Sequence, residues 1–418
     1  MNFREYFQWF RSLHRTQKWF IVLIAIRPLI DNFYYLKTTS PFLSPLYIAG
    51  VLTPVLCLWS IGTLRKKYYS PIDFILGLWL IIILISSFFG FLNNPKNLKF
   101  YEFFFQTIIS IVIFYFSRRL ITSPRNLDGV LQTTLYAASI AACFFLYEIY
   151  YQPFKAIESR GIMRLEGAYA DVMNYGIYIT QSILICCYFA LQKNISLSKT
   201  SKIVRLIIVM VLAAVALPNI VHVSTIAVTF TIFILFLLFF SRQSLFTGVS
   251  FIVLIFVIII NLNHEAIDEK FSPLYRPDLE VLSGDRDKEK AFHGRMSRWE
   301  RMWAEFSDQP LIAQFFGIPL TLSNPFKYLL SGPHNDYLRI IFLSGYIGFI
   351  LYMIFLLNIF LRLKTLPYAH KFLVLGALAT MILYSVSTTP TLYAPLIYVI
   401  YPVYAFAVLP PGATRNYK

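Results

Sequence analysis

Leu206–Ser241 reads LIIVMVLAAVALPNIVHVSTIAVTFTIFILFLLFFS, 36 residues without Asp, Glu, Lys or Arg. As one helix at about 1.5 Å per residue it would be about 54 Å long, against a bilayer hydrocarbon core of about 30 Å. The stretch must therefore fold back, and Pro218-Asn219 is the natural turn. It predicts two spans, Ile203–Leu217 and Ile220–Phe240. The rest of the 418-residue chain agrees in composition: 57% hydrophobic, 18% aromatic, only 14% charged, with a mean hydropathy of +0.62. That is about half the usual charged share, too little to cover a soluble surface.

The same reading predicts further spans at Trp19–Leu36, Pro45–Leu64, Pro71–Leu92, Tyr101–Phe116, Gly129–Tyr150, Asn174–Leu191, Leu245–Leu262, Tyr337–Leu361, Phe372–Ser387 and Leu392–Leu409. The expectation is an all-α polytopic integral membrane protein, about 12 transmembrane helices in a single transmembrane domain over residues 1–418. Both termini are then cytoplasmic, with a large external loop before the tenth span. Net charge is +16. In a soluble protein that would suggest nucleic acid; here location decides. With the N-terminus inside, 20 of the 37 Lys and Arg fall on cytoplasmic pieces, offset there by Glu5, Asp73 and Asp128 alone, as the positive-inside rule asks. Met1–Lys18 reads as an aromatic, basic interfacial helix rather than a cleaved signal. Cys57, Cys143, Cys186 and Cys187 all fall in spans and suggest packed thiols, with no metal-type spacing.

Two external loops are long: residues 151–173 and 263–336. A loop of the second kind without structure or function is uncommon. It contains GRMSRWERMWAEF, Gly294–Phe306, in which Met296, Trp299, Trp303 and Phe306 share a helical face. Arg295, Arg298 and Arg301 run beside that face. They suit an anionic headgroup, or simply snorkel from an interfacial helix. The loop ends in His334-Asn335-Asp336-Tyr337-Leu338, followed by Gly345-x-x-Gly348.

These motifs resemble the O-antigen ligase and O-antigen polymerase (Wzy-type) superfamily of membrane glycosyltransferases. The HNDYL and GxxG elements carry the likeness, with Gly294-Arg295 and Trp299 upstream of them. In the first loop, Arg164-Leu-Glu-Gly167-Ala-Tyr-Ala-Asp171-Val-Met-Asn174 is similar to the family's arginine–glycine–asparagine element. The likeness extends to topology across the chain but is motif-specific only in about Arg160–Gly176 and Gly294–Gly348. The chain departs where relatives carry a Ser-Arg pair: here it reads His222-Val-Ser224-Thr225.

The resemblance implies a GT-C-like enzyme in the bacterial inner membrane with its site facing the periplasm. The donor would be a polyprenyl (undecaprenyl) pyrophosphate-linked oligosaccharide, the acceptor a glycan or lipid A-core, and a chain-length regulator a further partner. No nucleic acid or cofactor is expected, and the reaction would be inverting and metal-independent. The residue chemistry fits. Arginine stays cationic and pairs with phosphate oxygens, so Arg164 and Arg295 suit a leaving pyrophosphate, with Arg160, Arg298 and Arg301 as supporting ligands. Histidine titrates near neutrality, so His334 suits a general base, and Asn335 a sugar contact. Each has a plainer reading: His334 stacked on a loop aromatic, Asn335 as an N-cap.

Other features stay open. Asp285-Arg-Asp287 has the form of a metal-binding pair but lies in a run of mixed charge, usually a solvated loop. Arg27 and Asp31, four apart in the first span, are either functional or self-neutralising, with Pro28 loosening the helix beside a lipid tail. His222 is either packed or substrate-facing. Polymerase is preferred to ligase because nothing in the chain suggests a core-binding surface. The rival class, an anion or lipid-linked sugar transporter, would predict inverted repeats that are not seen.

Overall fold

A computed structural model describes residues 1–33, 36, 43–65, 68–93, 98–151, 157–159, 162–165, 169, 173–192, 198–239, 264–285, 287, 291–320 and 334–415. The helices on the first side of the long loop are α1 (Phe3–Ser12), α2 (Arg15–Asn32), α3 (Pro45–Thr63), α4 (Pro71–Asn93), α5 (Leu98–Leu120), α6 (Pro124–Tyr151), α7 (Met173–Leu191), α8 (Lys199–Ile220) and α9 (Val223–Phe239). The loop itself holds α10 (His264–Ser283), α11 (Ala291–Ser307) and the short α12 (Leu311–Phe316). After it come α13 (Asp336–Arg362), α14 (Tyr368–Ser387), α15 (Ala394–Ala407) and α16 (Pro411–Arg415). Among the described residues, seven helices are long and apolar enough to cross a membrane: α3, α4, α6, α7, α8, α13 and α14; α9 and α15 are shorter apolar helices. Eleven of the twelve expected spans coincide with helices. The remaining one, Leu245–Leu262, lies outside the described residues.

Two details differ from expectation. The helical picture gains a small antiparallel hairpin, β1 (Ile157–Ser159) with β2 (Ile162–Arg164), Ile157 facing Arg164. The reversal expected at Pro218-Asn219 falls later, at Val221, whose left-handed φ of 45° caps α8. Asn219 Nδ2 donates to Val215 O at 2.8 Å. That bond supports the turn that the missing proline N–H weakens, so the helix continues to Ile220.

The bundle is arranged around α7 and α15. In the most apolar window of α7, 83% is buried, against 17% in α8, which turns Ile207, Ile208 and Val211 to the outside. In a bilayer, close backbone approach replaces the hydrophobic drive, so small residues mark contacts. Gly176 of α7 meets Thr225 of α9, where a Cβ would lie 2.1 Å from the threonine hydroxyl; Gly376 of α14 meets Leu184 in the same way.

One end of the bundle is closed by Arg118. It is fully buried, with Nε 3.4 Å from Asp73 Oδ1, and donates to Ala405 O and Tyr68 O at 3.2 Å. A cation that charge counting assigns to topology is thus also a clamp joining α4, α5 and α15. The amphipathic α1 begins with an Asn2–Glu5 capping box. It buries Trp9 against α6, with Nε1 donating to Asn126 Oδ1 at 3.0 Å, while Phe3 and Phe7 stay exposed as an interfacial helix requires.

The end of the long loop is wedged into the bundle. α13 breaks at Gly345 (φ 65°, ψ −171°), a conformation essentially reserved to glycine. Its missing side chain admits α12: a Cβ there would lie 2.3 Å from Phe315 C and O. Gly317 reciprocates, its notional Cβ 2.4 Å from Leu343 O. Ser86 of α4 donates to Phe316 O at 2.7 Å and secures the wedge from the other side. Gly348 makes room for Ser344, whose hydroxyl accepts from Trp79 Nε1 at 3.2 Å. The Gly345-x-x-Gly348 spacing therefore has a packing cause: one glycine receives the wedge, and the other brings α13 onto α4.

Candidate active site

His334 stands exposed immediately before α13, at a left-handed φ of 46°. Such a backbone is uncommon for a residue with a side chain and calls for support from its surroundings. The next residues supply it. Asn335 is the N-cap of α13, its Oδ1 accepting from Leu338 N at 3.1 Å, so the capping alternative is realised. Asp336 and Arg339, both fully buried, pair at 2.7 Å. Arg339 also donates to Thr107 Oγ1 of α5 at 2.7 Å and to Thr391 Oγ1, and the Thr391 hydroxyl in turn bonds Asp336. Breaking a buried, hydrogen-bonded pair of this kind costs about 3–5 kcal/mol. The first turn of α13 is thereby fixed to α5 and to the segment before α15, and His334 is carried at its lip. Sequence reading quoted Asp336 but missed this role and Arg339 altogether. The signal was there, as an i,i+3 acid–base pair at the head of a span.

α11 packs across α13. Phe306 is fully buried, 5.7 Å from the Phe342 ring and 5.2 Å from Tyr346. The expected face of Met296, Trp299, Trp303 and Phe306 is rotated: Met302 is fully buried and Trp303 is exposed at the rim, because α13 meets the helix on its Met302–Phe306 side. Gly294, at φ 78°, turns the backbone just ahead of Arg295. Arg295 and Arg298 are half-buried, whereas Arg301 is exposed with Nε donating to Ser297 O at 3.1 Å.

In the first loop, Arg164 is the last residue of β2. Leu165 N donates to Asn219 O at 3.2 Å, tying the hairpin to the α8–α9 reversal, and β2 also touches α10. α10 touches α11, and α11 touches α13. The strand bearing Arg164, the helix bearing Arg295 and Arg298, and the helix headed by His334 thus form one connected series. Arg160, Gly167 and Asp171 lie outside the described residues. His222 Nδ1 is 2.8 Å from Thr225 Oγ1, a packed position at the reversal. Asp285 and Asp287 are exposed beyond α10, Asp285 accepting from Ser283 Oγ at 2.6 Å.

Arg27 and Asp31 form a 2.8 Å pair facing the bundle. Tyr178 donates to Asp31 at 3.3 Å and Arg27 lies over the Tyr398 ring at 5.9 Å, the self-neutralising arrangement. Cys57, Cys186 and Cys187 are buried free thiols; Cys143 is exposed. A separate groove among α6, α7 and α8 includes none of the candidate residues.

These features define a multi-pass α-helical membrane protein whose long loop before α13 packs back onto the bundle beside an exposed histidine. Residues 207–353 match the family model described as O-antigen ligase. The match runs from α8 through the long loop and His334 into α13, and it supports the O-antigen ligase and polymerase superfamily for this chain. It likewise supports a membrane glycosyltransferase of that type, acting on lipid-linked glycan in a bilayer. No curated protein matches the chain.

Proposed function

We propose that the protein transfers a glycan from a polyprenyl pyrophosphate carrier to a sugar hydroxyl at the external membrane face, as a surface-polysaccharide polymerase. The observation that carries this reading is His334, presented at the lip of α13 by the buried Asp336–Arg339–Thr391 network. The acceptor oxygen attacks the anomeric carbon, and His334 takes its proton. The bond from that carbon to the phosphate oxygen breaks with its electron pair leaving on the pyrophosphate. Attack from the opposite side inverts the carbon. Arg295 and Arg164 bind the pyrophosphate as its charge grows, with Arg298, and Arg160 by its sequence motif, as supporting ligands, so charge neutralisation is provided without a metal. Arg301 and Asn335 contribute less: the first is turned to its own helix and the second caps α13.

The test is purified protein with a lipid-linked repeat unit, with and without lipid A-core. A ladder on the carrier supports polymerase, and a shifted core band instead means ligase. His334→Ala should lower the rate by about 10²–10⁴ and leave the melting temperature unchanged, because the ring is exposed. Arg295→Ala should cost about 3–4 kcal/mol in the transition state. Full activity in both variants refutes the site, and glycan crossing the membrane without a new bond refutes the enzyme class.

A further inference from the structure

The flank of the bundle carries a groove that the proposed reaction does not use. α6 and α8 both pack on α7 and leave between them a cavity of about 290 Å³. Its depth comes from small side chains, Ala138 and Ala142 on α6 and Ser182 on α7, and its outer wall from Val209 and Leu212 of α8. Along α6 it runs from Gln132 to Phe145, about 20 Å at about 1.5 Å per residue. One leaflet of a core about 30 Å thick is about 15 Å deep. A single acyl chain therefore fits its length, while a helix about 10 Å across does not fit its volume.

The two ends differ. At one, Arg205 Nη1 donates to Gln132 Oε1 at 3.0 Å, which orients the guanidinium without neutralising it. Lys202 lies three residues earlier on α8 and donates to Gln192 O. Asp128, one turn before Gln132, is directed inward onto Tyr188, whose hydroxyl donates to it at 2.9 Å. At the other end the rings of Phe145 and Tyr175 meet at 4.9 Å and Tyr169 meets Tyr175 at 4.6 Å, buried beneath the external hairpin. The groove is thus shut by aromatics toward the candidate active site and carries cations at its opposite end. On the positive-inside orientation that end is cytoplasmic.

We propose that this groove holds an acyl chain of an anionic glycerophospholipid drawn from the cytoplasmic leaflet, its phosphate on Arg205. The aromatic closure separates it from a carrier whose pyrophosphate sits at the external rim. The site is independent of the catalytic reading.

Native mass spectrometry of the full chain, titrated with phosphatidylglycerol, phosphatidylethanolamine or undecaprenyl phosphate, tests this. One phosphatidylglycerol should be retained about fivefold over phosphatidylethanolamine, the preference expected of one cation for a net anionic headgroup over one whose phosphate is offset by its own ammonium. Arg205→Gln should abolish the preference, Arg205→Lys should keep it, and Ala142→Phe should exclude both lipids. Should Ala142→Phe not fold, the Gln and Lys variants carry the test alone. Equal retention of the two phospholipids, or a preference that survives Arg205→Gln, overturns the proposal. So does stronger retention of undecaprenyl phosphate, which would assign the groove to the carrier tail.

Discussion

Gly345→Ala should unseat the wedge. The residue holds φ 65° and ψ −171°, and a methyl group there would lie 2.3 Å from Phe315 C and O, about an ångström inside ordinary contact. The clash is with backbone, so no rotamer relieves it. Forcing alanine into this region costs about 1–3 kcal/mol. Displacing α12 also forfeits the Ser86–Phe316 hydrogen bond, about 1 kcal/mol more. The sum is about 2–4 kcal/mol, borne by the wedge first. Gly62→Ala is the control, because a Cβ at Gly62 of α3 meets nothing within 4 Å. Thermal unfolding in detergent and limited proteolysis of the 308–320 segment read the effect. Gly345→Ala should melt several degrees lower and be cut there first, whereas Gly62→Ala should resemble the wild type. A Gly345→Ala protein with unchanged melting and cleavage refutes the account of the kink.

Three further outcomes follow from the packing. Asp336→Ala and Arg339→Ala should each destabilise by about 3–5 kcal/mol, and the joint change Asp336→Leu with Arg339→Met should recover most of that, read by thermal unfolding. Gly129→Ala puts a methyl 2.4 Å from the Trp9 ring and should cost about 1–3 kcal/mol by overpacking, seen as a red-shifted tryptophan emission and earlier cleavage of α1. Arg118→Ala should lower the melting temperature more than Arg65→Ala, because Arg118 is buried and holds three partners while Arg65 is exposed.

Much of the fold was legible because a span is written locally: a run of apolar residues, its length and its flanking charges. The failures are also local in cause. Proline predicted the reversal at 218, but an asparagine side chain one residue later supported the weakened turn and moved it to Val221. The candidate site was legible by residue type, since histidine and arginine are rare enough in such a chain to stand out. What holds it was not. Arg339 finds its partners Thr107 and Thr391 on segments far apart in sequence, and threonine gives no pattern of its own. Arg118 looked like any other inside-facing cation. The buried face of α11 was misjudged by one position, because the helix offers aromatics on both sides of Met302 and only its partner selects between them.

The wedge also imposes an order on biogenesis. Its two receptors, Ser86 and Gly345, stand on helices separated by most of the chain, and the second follows the wedge in sequence. During synthesis α12 is made before α13 exists to receive it. The loop must therefore wait, unseated, until the next helix has inserted and bent at Gly345. The final joint is made last, once both receptors are in place. A stall or a slow insertion at α13 would leave the apolar side chains of Leu311–Phe316 open to proteolysis, so quality control of this protein should act at that step.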